Sequence, residues 1–458
     1  MFAKAQRVHF IGIGGIGMSG IAEILLNLGY PVSGSDLKRS PVTERLAGLG
    51  ATIFEGHAAA NVVGASVVVV SSAVNEANPE VVEARGSKVP VIQRAEMLAE
   101  LMRLKYGIAV AGMHGKTTTT SMVAAVLAAG GLDPTIVVGG RIDAMGSNAR
   151  LGKSQYLVAE ADESDRSFLK LSPILAVVTN LDREHMDCYR DMADVEDAFV
   201  AFMDRVPFYG AITACLDDPL LTAVLPRVRR RVYTYGFTAG ADFVCRLLPT
   251  GEGARSRFEV VAAGQVLGAF TLHVPGRHNV LNATAAVAIG TQLEIEPAAM
   301  ATALAEFRGV DRRFQLKGLV RGVTVVDDYG HHPTEIRATL AAARDCGYRQ
   351  VHVIFQPHRY SRTRDLMDEF TTAFDDADSV EMLDIYAASE EPIPGIDAET
   401  LAARINAGKS HPPVHYAGNT ADAVTAVAKR AQDGDLIMTL GAGSVSQLGP
   451  QVLEALGR

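Results

Sequence analysis

Gly112-Met113-His114-Gly115-Lys116-Thr117-Thr118-Thr119-Thr120 places a glycine-flanked lysine and four threonines between an apolar run and a helical pattern. Upstream, Gly107-Ile108-Ala109-Val110-Ala111 is short and apolar, as a buried strand is. Downstream, Thr117 to Ala129 carries apolar residues at helical spacing and stops at Gly130-Gly131. The turn therefore falls at a helix N-terminus, where unpaired N–H groups and the helix dipole favour phosphate. Lys116 is placed to reach the β and γ phosphates of a nucleotide, and Thr117 to offer an oxygen to Mg²⁺. The general pattern G-x-x-x-x-G-K-[ST] would put its first glycine at position 110, which is Val110.

Working outward, the chain reads as α/β throughout. Val8 to Ile11 is a strand, Gly12-Ile13-Gly14-Gly15-Ile16-Gly17 follows, and Met18, Ile21, Ala22, Leu25 and Leu28 line one face of a helix ending at Gly29. Pro31 to Ser35 and Val67 to Val70 are further strands, the latter running into Ser71-Ser72. This is the pattern of half a dinucleotide-binding fold. A second nucleotide-type unit starts near Gly107 and continues through strands at Tyr156–Ala159 and Leu175–Thr179. Between Val232 and Val274 short alternating β segments predict an antiparallel appendage. A third unit begins near Arg312-Arg313-Phe314, with strands at Val323–Val326, Val351–Phe355 and Leu436–Leu440. The 458 residues exceed what one hydrophobic core supports, and three units match the length.

Composition narrows the partners. With 21% charged residues and a net charge of −9, the chain has no electrostatic footprint for nucleic acid. Cys188, Cys215, Cys245 and Cys346 are widely spaced, without the C-x-x-C pairs of a zinc ribbon, which fits a reducing cytosol. Residues 1–7 run directly into a strand without a signal-peptide core, and no stretch of about 18 uncharged apolar residues occurs. A soluble, cytoplasmic protein with no membrane partner is expected.

Several loops at strand ends carry chemistry. Gly12, Gly14 and Gly17 match G-x-G-x-x-G, and Asp36 follows at the end of the next strand, completing a dinucleotide fingerprint. Alone it suggests a nicotinamide-dependent oxidoreductase, with close helix–strand packing as the plainer account. A second loop bearing Lys116 shifts the balance toward a nucleotide-linked substrate gripped by its diphosphate. Glu160-Ala161-Asp162-Glu163-Ser164-Asp165 gathers carboxylates at a strand end, where an offsetting cation beside a phosphate loop is natural, with Glu163 or Asp162 as its ligand. Asn180-Leu181-Asp182-Arg183-Glu184-His185-Met186-Asp187 adds an imidazole flanked by carboxylates, suited to a second metal. Asp327-Asp328-Tyr329-Gly330-His331-His332-Pro333 and Phe355-Gln356-Pro357-His358-Arg359-Tyr360-Ser361-Arg362 supply imidazoles and two guanidinium forks for an anionic substrate or a developing acyl phosphate.

These segments, with His278-Asn279-Val280-Leu281-Asn282-Ala283, resemble the Mur ligase family, the ATP-dependent amino-acid ligases of peptidoglycan synthesis, over nearly the whole chain. The resemblance implies a UDP-sugar-binding Rossmann-like domain (1–106), a central P-loop ATPase-like domain (107–313) and a Rossmann-like C-terminal domain (314–458) serving ATP and the amino acid. It implies an ATP-dependent carboxylate–amine ligase. ATP would be held by Gly112, His114, Gly115, Lys116, Thr117, Thr118, Asn279, Asn282 and Arg313, and Mg²⁺ by Thr117, Glu163 and His185. Substrates would be held by Gly14, Gly15, Ile16, Gly17, Asp36, Ser72, Arg94, Tyr329, His331, Arg359 and Arg362, with Lys116, His185, His331, Arg359 and Arg362 serving catalysis. The motifs are nearer those of the branch that joins L-alanine to UDP-N-acetylmuramate than those of the branch that reattaches recycled tripeptide. Met113, Glu184 and Cys188 depart from the family's usual Thr, Asp and Thr. Residues 187–209 contain no lysine, so the carbamylated lysine of several relatives is not expected. A monomer or weak homodimer is expected.

Overall fold

The apolar runs fold into three sheets, described in a computed structural model for residues 6–71, 73–142, 147–249, 256–408 and 412–457. The chain divides into two compact units. One is Met1–Arg246 with Glu259–Ala269 and Leu281–Leu304; the other is Leu247–Phe258 with Phe270–Val280 and Ala305–Arg458.

The first unit opens with β1 (Val8–Ile11), α1 (Ile16–Asn27), β2 (Val32–Asp36), α2 (Pro41–Gly48), β3 (Thr52–Glu55), β4 (Val67–Val70), α3 (Pro79–Gly86), β5 (Val91–Gln93) and α4 (Arg94–Arg103). Every pairing is parallel and the order is β3-β2-β1-β4-β5. The order reverses at β1, so the glycine loop after β1 lies at the switch point, where a crevice forms.

The same unit continues with β6 (Tyr106–Ala111), α5 (Lys116–Ala129), β7 (Thr135–Ile142), β8 (Ser147–Arg150), β9 (Tyr156–Glu160), β10 (Leu175–Val178), β11 (Ala211–Cys215), β12 (Val232–Gly236) and β13 (Phe243–Leu247). Here the order is β13-β12-β11-β10-β6-β9-β7-β8. β6 lies between β9 and β10, parallel to both. That one fact sets the lysine loop between the acidic turn after β9 and the imidazole loop after β10. α5 is buried on nearly all sides, its Thr119 and Thr120 included.

The antiparallel appendage is present but shorter than the stretch from Val232 to Val274. β12 pairs in parallel with both β11 and β13. Alternating polarity fixes which face of a strand is buried but not its direction. After β12, Asp217 accepts the N–H groups of Phe237 and Thr238 and turns the chain back. The antiparallel part is the hairpin of β14 (Ser256–Ala262) and β15 (Gln265–Leu272). Its two-residue link, Ala263-Gly264, has φ of 49° and 76°, as a tight hairpin turn requires.

The second unit carries β16 (Gln315–Val320), β17 (Val323–Asp328), β18 (Val351–Phe355), β19 (Ser379–Leu383), β20 (Val414–Gly418) and β21 (Leu436–Leu440), in the order β16-β17-β21-β18-β19-β20. All its pairings are parallel except β16–β17. Phe355, Phe370 and Phe374 pack together in its core. Among the described residues, no helix is long and apolar enough to cross a membrane.

Two sheets carry a buried cross-strand histidine–serine pair. In the first, His9 on β1 faces Ser33 on β2 in register, at 2.9 Å. His9 also lies 3.3 Å from Glu80, whose carboxylate accepts from Ser35 Oγ at 2.6 Å and Asn61 Nδ2 at 2.6 Å. In the third, His352 faces Ser379 in register at 2.8 Å and lies 3.3 Å from Asp435. Glu80 is fully buried. Glu80→Ala strands the buried hydroxyl, amide and imidazole that it binds. It should destabilise the first sheet by roughly 2–4 kcal/mol, an effect to be read from the midpoint of chemical unfolding.

Candidate active site

The lysine loop is shaped by its neighbours before any ligand arrives. Gly112 has φ of 134°, and a Cβ there would stand 2.0 Å from Thr179 Oγ1, so only glycine fits. From the end of β10, Asn180 Oδ1 accepts the His114 N–H at 2.8 Å, and Asn180 Nδ2 and Thr179 Oγ1 donate to the His114 carbonyl. Met113 is buried and takes part through its backbone: its N–H donates to the Asn180 carbonyl and its own carbonyl accepts from Lys116. The bonds that this position makes within the loop therefore run through its backbone. Thr118 is buried in the first turn of α5.

Lys116 Nζ donates to the carbonyls of Gly112 (2.8 Å) and Met113 (3.1 Å) and to Glu163 Oε1 (2.7 Å). Burial alone would lower its pKa, but Glu163 and Glu160, with Glu184 further off, outweigh burial and hold the ammonium above the ordinary lysine value. Thr117 Oγ1 donates to Glu160 Oε2 at 2.9 Å. His185, at a left-handed φ of 56°, brings Nε2 to 3.5 Å from Glu163 Oε1, and the Tyr189 hydroxyl anchors that segment by donating to the Glu163 carbonyl. His114 pairs with Asp182 at 2.9 Å. Asn282 also comes to the loop: its Oδ1 lies 2.8 Å from where a Cβ on Gly115 would stand. Asn279, three residues earlier, spends its Nδ2 on the Pro275 carbonyl.

Three carboxylates thus face one ammonium. Glu163 Oε2 is buried and has no hydrogen-bond partner among the described residues. A buried oxygen of this kind, with Glu160 and the Thr117 hydroxyl nearby, fits a hard divalent cation such as Mg²⁺. Glu160 is a ligand candidate that the sequence pattern did not single out; its place as the last residue of the strand beside the loop was the available signal. Asp162 is otherwise engaged, since Ser164 binds its Oδ1 and Arg94 its Oδ2. Glu184, buried near His114 and His185, belongs to the same acidic shell.

The upstream glycine loop is built differently. Asp36 Oδ2 accepts the Gly14 N–H at 2.8 Å and Oδ1 the Leu37 N–H at 2.8 Å, so this carboxylate holds the loop in shape as well as ending β2. Gly17 gives space to Arg94: a Cβ would meet Nη1 at 2.8 Å and Cδ at 2.9 Å. Gly15, before the first turn of α1, accepts from Met18 and Ser19. Ser72 and the side chain of Ile16 lie outside the described residues.

In the second unit, loops after β17 and β18 bring together Tyr329, His331, His358 and, from after β19, Tyr386, with ring centroids 5.2 to 5.7 Å apart. Arg313 lies over Tyr329 and pairs with Glu335, which also meets His331 at 3.3 Å. Arg312, not singled out from sequence, stacks on Tyr329 too and donates to carbonyls of the Gly441–Gly443 turn. Arg359 has φ of 72° and sits 4.0 Å from Glu390. Arg362 Nη1 donates to His358 Nδ1 at 3.1 Å. Burial pushes the buried Asp328 carboxyl up to about 6, although Arg313 and the N–H groups of Gly330 and Phe314 oppose the shift.

Two phosphate-type loops of different construction, an acidic shell and an arginine-bearing α/β unit are the parts of an ATP-dependent ligase, and the comparisons agree. The chain belongs to the Mur ligase family. Residues 7–106 match the model "Mur ligase family, catalytic domain", 110–290 the "Mur ligase middle domain" and 312–443 "Mur ligase, glutamate ligase domain". The UDP-N-acetylmuramate–L-alanine ligase of Acidobacterium capsulatum is 73% identical over 456 residues, covering 100% of this chain and 99% of that one. The enzyme of the same name from Koribacter versatilis is 68% identical, covering 100% and 98%. The crystal structure of UDP-N-acetylmuramate–alanine ligase from Thermotoga maritima matches with a TM-score of 0.78 at 29% identity, covering 98% of both chains. A murein peptide ligase from Psychrobacter arcticus gives 0.68 at 26% identity, covering 99% of both.

The Arg362–His358 bond has a titration consequence. Arginine only donates, so His358 Nδ1 is an acceptor and the ring is neutral. Burial, then His331, Arg362 and Arg359, lower its pKa to about 3. The unfolded chain binds a proton here near pH 6.5 and the folded chain does not. This residue's contribution to stability is therefore complete above about pH 6.5 and is lost as pH falls toward 3. The His358 ring resonances in NMR should stay fixed between pH 8 and pH 5; a midpoint between 6 and 7 would contradict the assignment.

Proposed function

We propose that this protein joins L-alanine to the lactyl carboxylate of UDP-N-acetylmuramate at the expense of ATP, a step of peptidoglycan precursor synthesis. The observation that carries the reading is the shell around Lys116, made by the buried Glu163 and Glu184 and the half-buried Glu160, in the same unit as a second, separately built glycine loop. An oxidoreductase has use for the second loop but none for the first.

The substrate carboxylate attacks the γ phosphorus of ATP, the bond to the β-γ bridging oxygen breaks, and an acyl phosphate and ADP result. The amine of L-alanine then adds to the acyl carbon, phosphate leaves, and the amine gives up a proton as the amide forms. The protein's work is mostly placement and charge compensation. Gly112, His114 and Gly115 present the loop that cradles the phosphates. Lys116 turns from its loop carbonyls toward the β and γ oxygens, and Thr118 supports the helix start. Asn279, Asn282 and Arg313 hold the remainder of ATP. Thr117, Glu160, Glu163 and His185 would hold Mg²⁺, which when bound offsets phosphate charge. Gly14, Gly15, Ile16, Gly17, Asp36, Ser72 and Arg94 receive the UDP-sugar. Tyr329, His331, Arg359 and Arg362 orient the amino acid or the carboxylate it joins. The domains serving these roles are 1–106, 107–313 and 314–458, and the enzyme works in the cytoplasm as a monomer or weak homodimer.

Product identification after incubation with ATP, Mg²⁺, UDP-N-acetylmuramate and a mixture of amino acids tests donor, acceptor and reaction type together; a tripeptide adduct or nicotinamide turnover would replace this reading. Lys116→Ala should abolish phosphate release, a loss of at least about 10³-fold, while UDP-N-acetylmuramate binding by calorimetry stays within about twofold. Loss of both would count against two separate phosphate loops.

A further inference from the structure

Arg94 and Asp162 join the glycine loop to the acidic turn that follows β9 in the neighbouring sheet. Arg94 opens α4, and its guanidinium lies against Gly17 in the first turn of α1, where N–H groups suited to an anion gather. Its Nη2 meets Asp162 Oδ2 at 3.2 Å, and Asp162 is its only ion-pair partner among the described residues.

The carboxylate is itself fixed in place. Ser164 donates to Asp162 Oδ1 from both N (3.1 Å) and Oγ (2.6 Å), and the Asp162 carbonyl accepts from Phe168 N and Ser167 Oγ. A second ion pair, Lys170 with Glu96, ties the same turn of α4 to the same segment. Both pairs are partly exposed, and such pairs add little to stability. What they provide is geometry. An arginine left to itself occupies many rotamers, and an anion that captures it must first order it. With one edge on a carboxylate, the planar fork still offers N–H groups on its other edge.

We infer that Asp162 is a positioning residue for the nucleotide-sugar, holding the Arg94 guanidinium over the glycine loop in readiness for a diphosphate. This rests on the reading of that loop as the UDP-sugar site. It also gives the third glycine of the motif a specific role, which is to leave open the place that Arg94 fills.

The test is calorimetric binding of UDP-N-acetylmuramate to the full chain, with steady-state KM for each substrate. Asp162→Asn keeps the shape and the acceptor for Ser164. It should weaken UDP-N-acetylmuramate binding roughly tenfold while the KM for ATP changes less than about twofold, which also shows that the variant folds. Gly17→Ala should act in the same direction. Because Asp162 acts through Arg94, the double variant Asp162→Asn/Arg94→Ala should bind no more weakly than Arg94→Ala alone. The inference is overturned if Asp162→Asn binds as tightly as wild type, if the two substitutions multiply, or if the KM for ATP rises instead. Wild-type protein that fails to bind UDP-N-acetylmuramate overturns the reading of the loop and this inference with it.

Discussion

Lys116 is a cation held among Glu160, Glu163 and Glu184 by a loop that has no choice about its shape. The rest of the central domain serves that arrangement. β6 must lie between β9 and β10 for the carboxylates and His185 to reach the lysine from two sides. Thr179 and Asn180 must end β10 in order to hold the His114 peptide. With more negative than positive charge gathered around the lysine, this shell has the composition that suits a hard cation.

The two phosphate-type loops solve one problem in two ways. The downstream loop brings its own cation and keeps it in place with backbone carbonyls. The upstream loop has no cation of its own and borrows Arg94 from α4. Its backbone is braced by Asp36, an acid that in a dinucleotide site of this pattern is directed at a ribose. The space left by the third glycine's missing Cβ is taken here by a charged side chain, that of Arg94.

Much of this was legible in the sequence because strand ends, glycines and charged residues fall close together along the chain. The lysine loop, the acidic turn, the imidazole loop and the bounds of β6 and α5 all follow from local pattern. What local pattern does not carry is which strand lies beside which. β9 and β10 are successive strands near the site, yet they are separated in the sheet by β6, so the acid and the imidazole converge on the lysine from opposite sides. The bond from Thr117 to Glu160, the place of Arg94 against Gly17 and the stacking of Arg312 on Tyr329 likewise join residues made neighbours by folding alone. The direction of β12 and β13 was hidden for a different reason: alternation reports a buried face and is blind to polarity.

The buried His9–Ser33 and His352–Ser379 pairs bear on how these sheets find their alignment. An all-apolar parallel strand such as Val67–Val70 packs almost as well one or two positions out of step, since every valine resembles the next. A polar residue in the same interior resists a one-residue slip, because moving β2 by one position along β1 turns Ser33 to the other face and leaves the His9 imidazole opposite Gly34 or Val32. Each pair therefore helps to fix which face of its strand points inward. The glycine loop and the loop after β18 both begin at the ends of strands aligned in this way, so a chain that misaligned there would fold without a usable site.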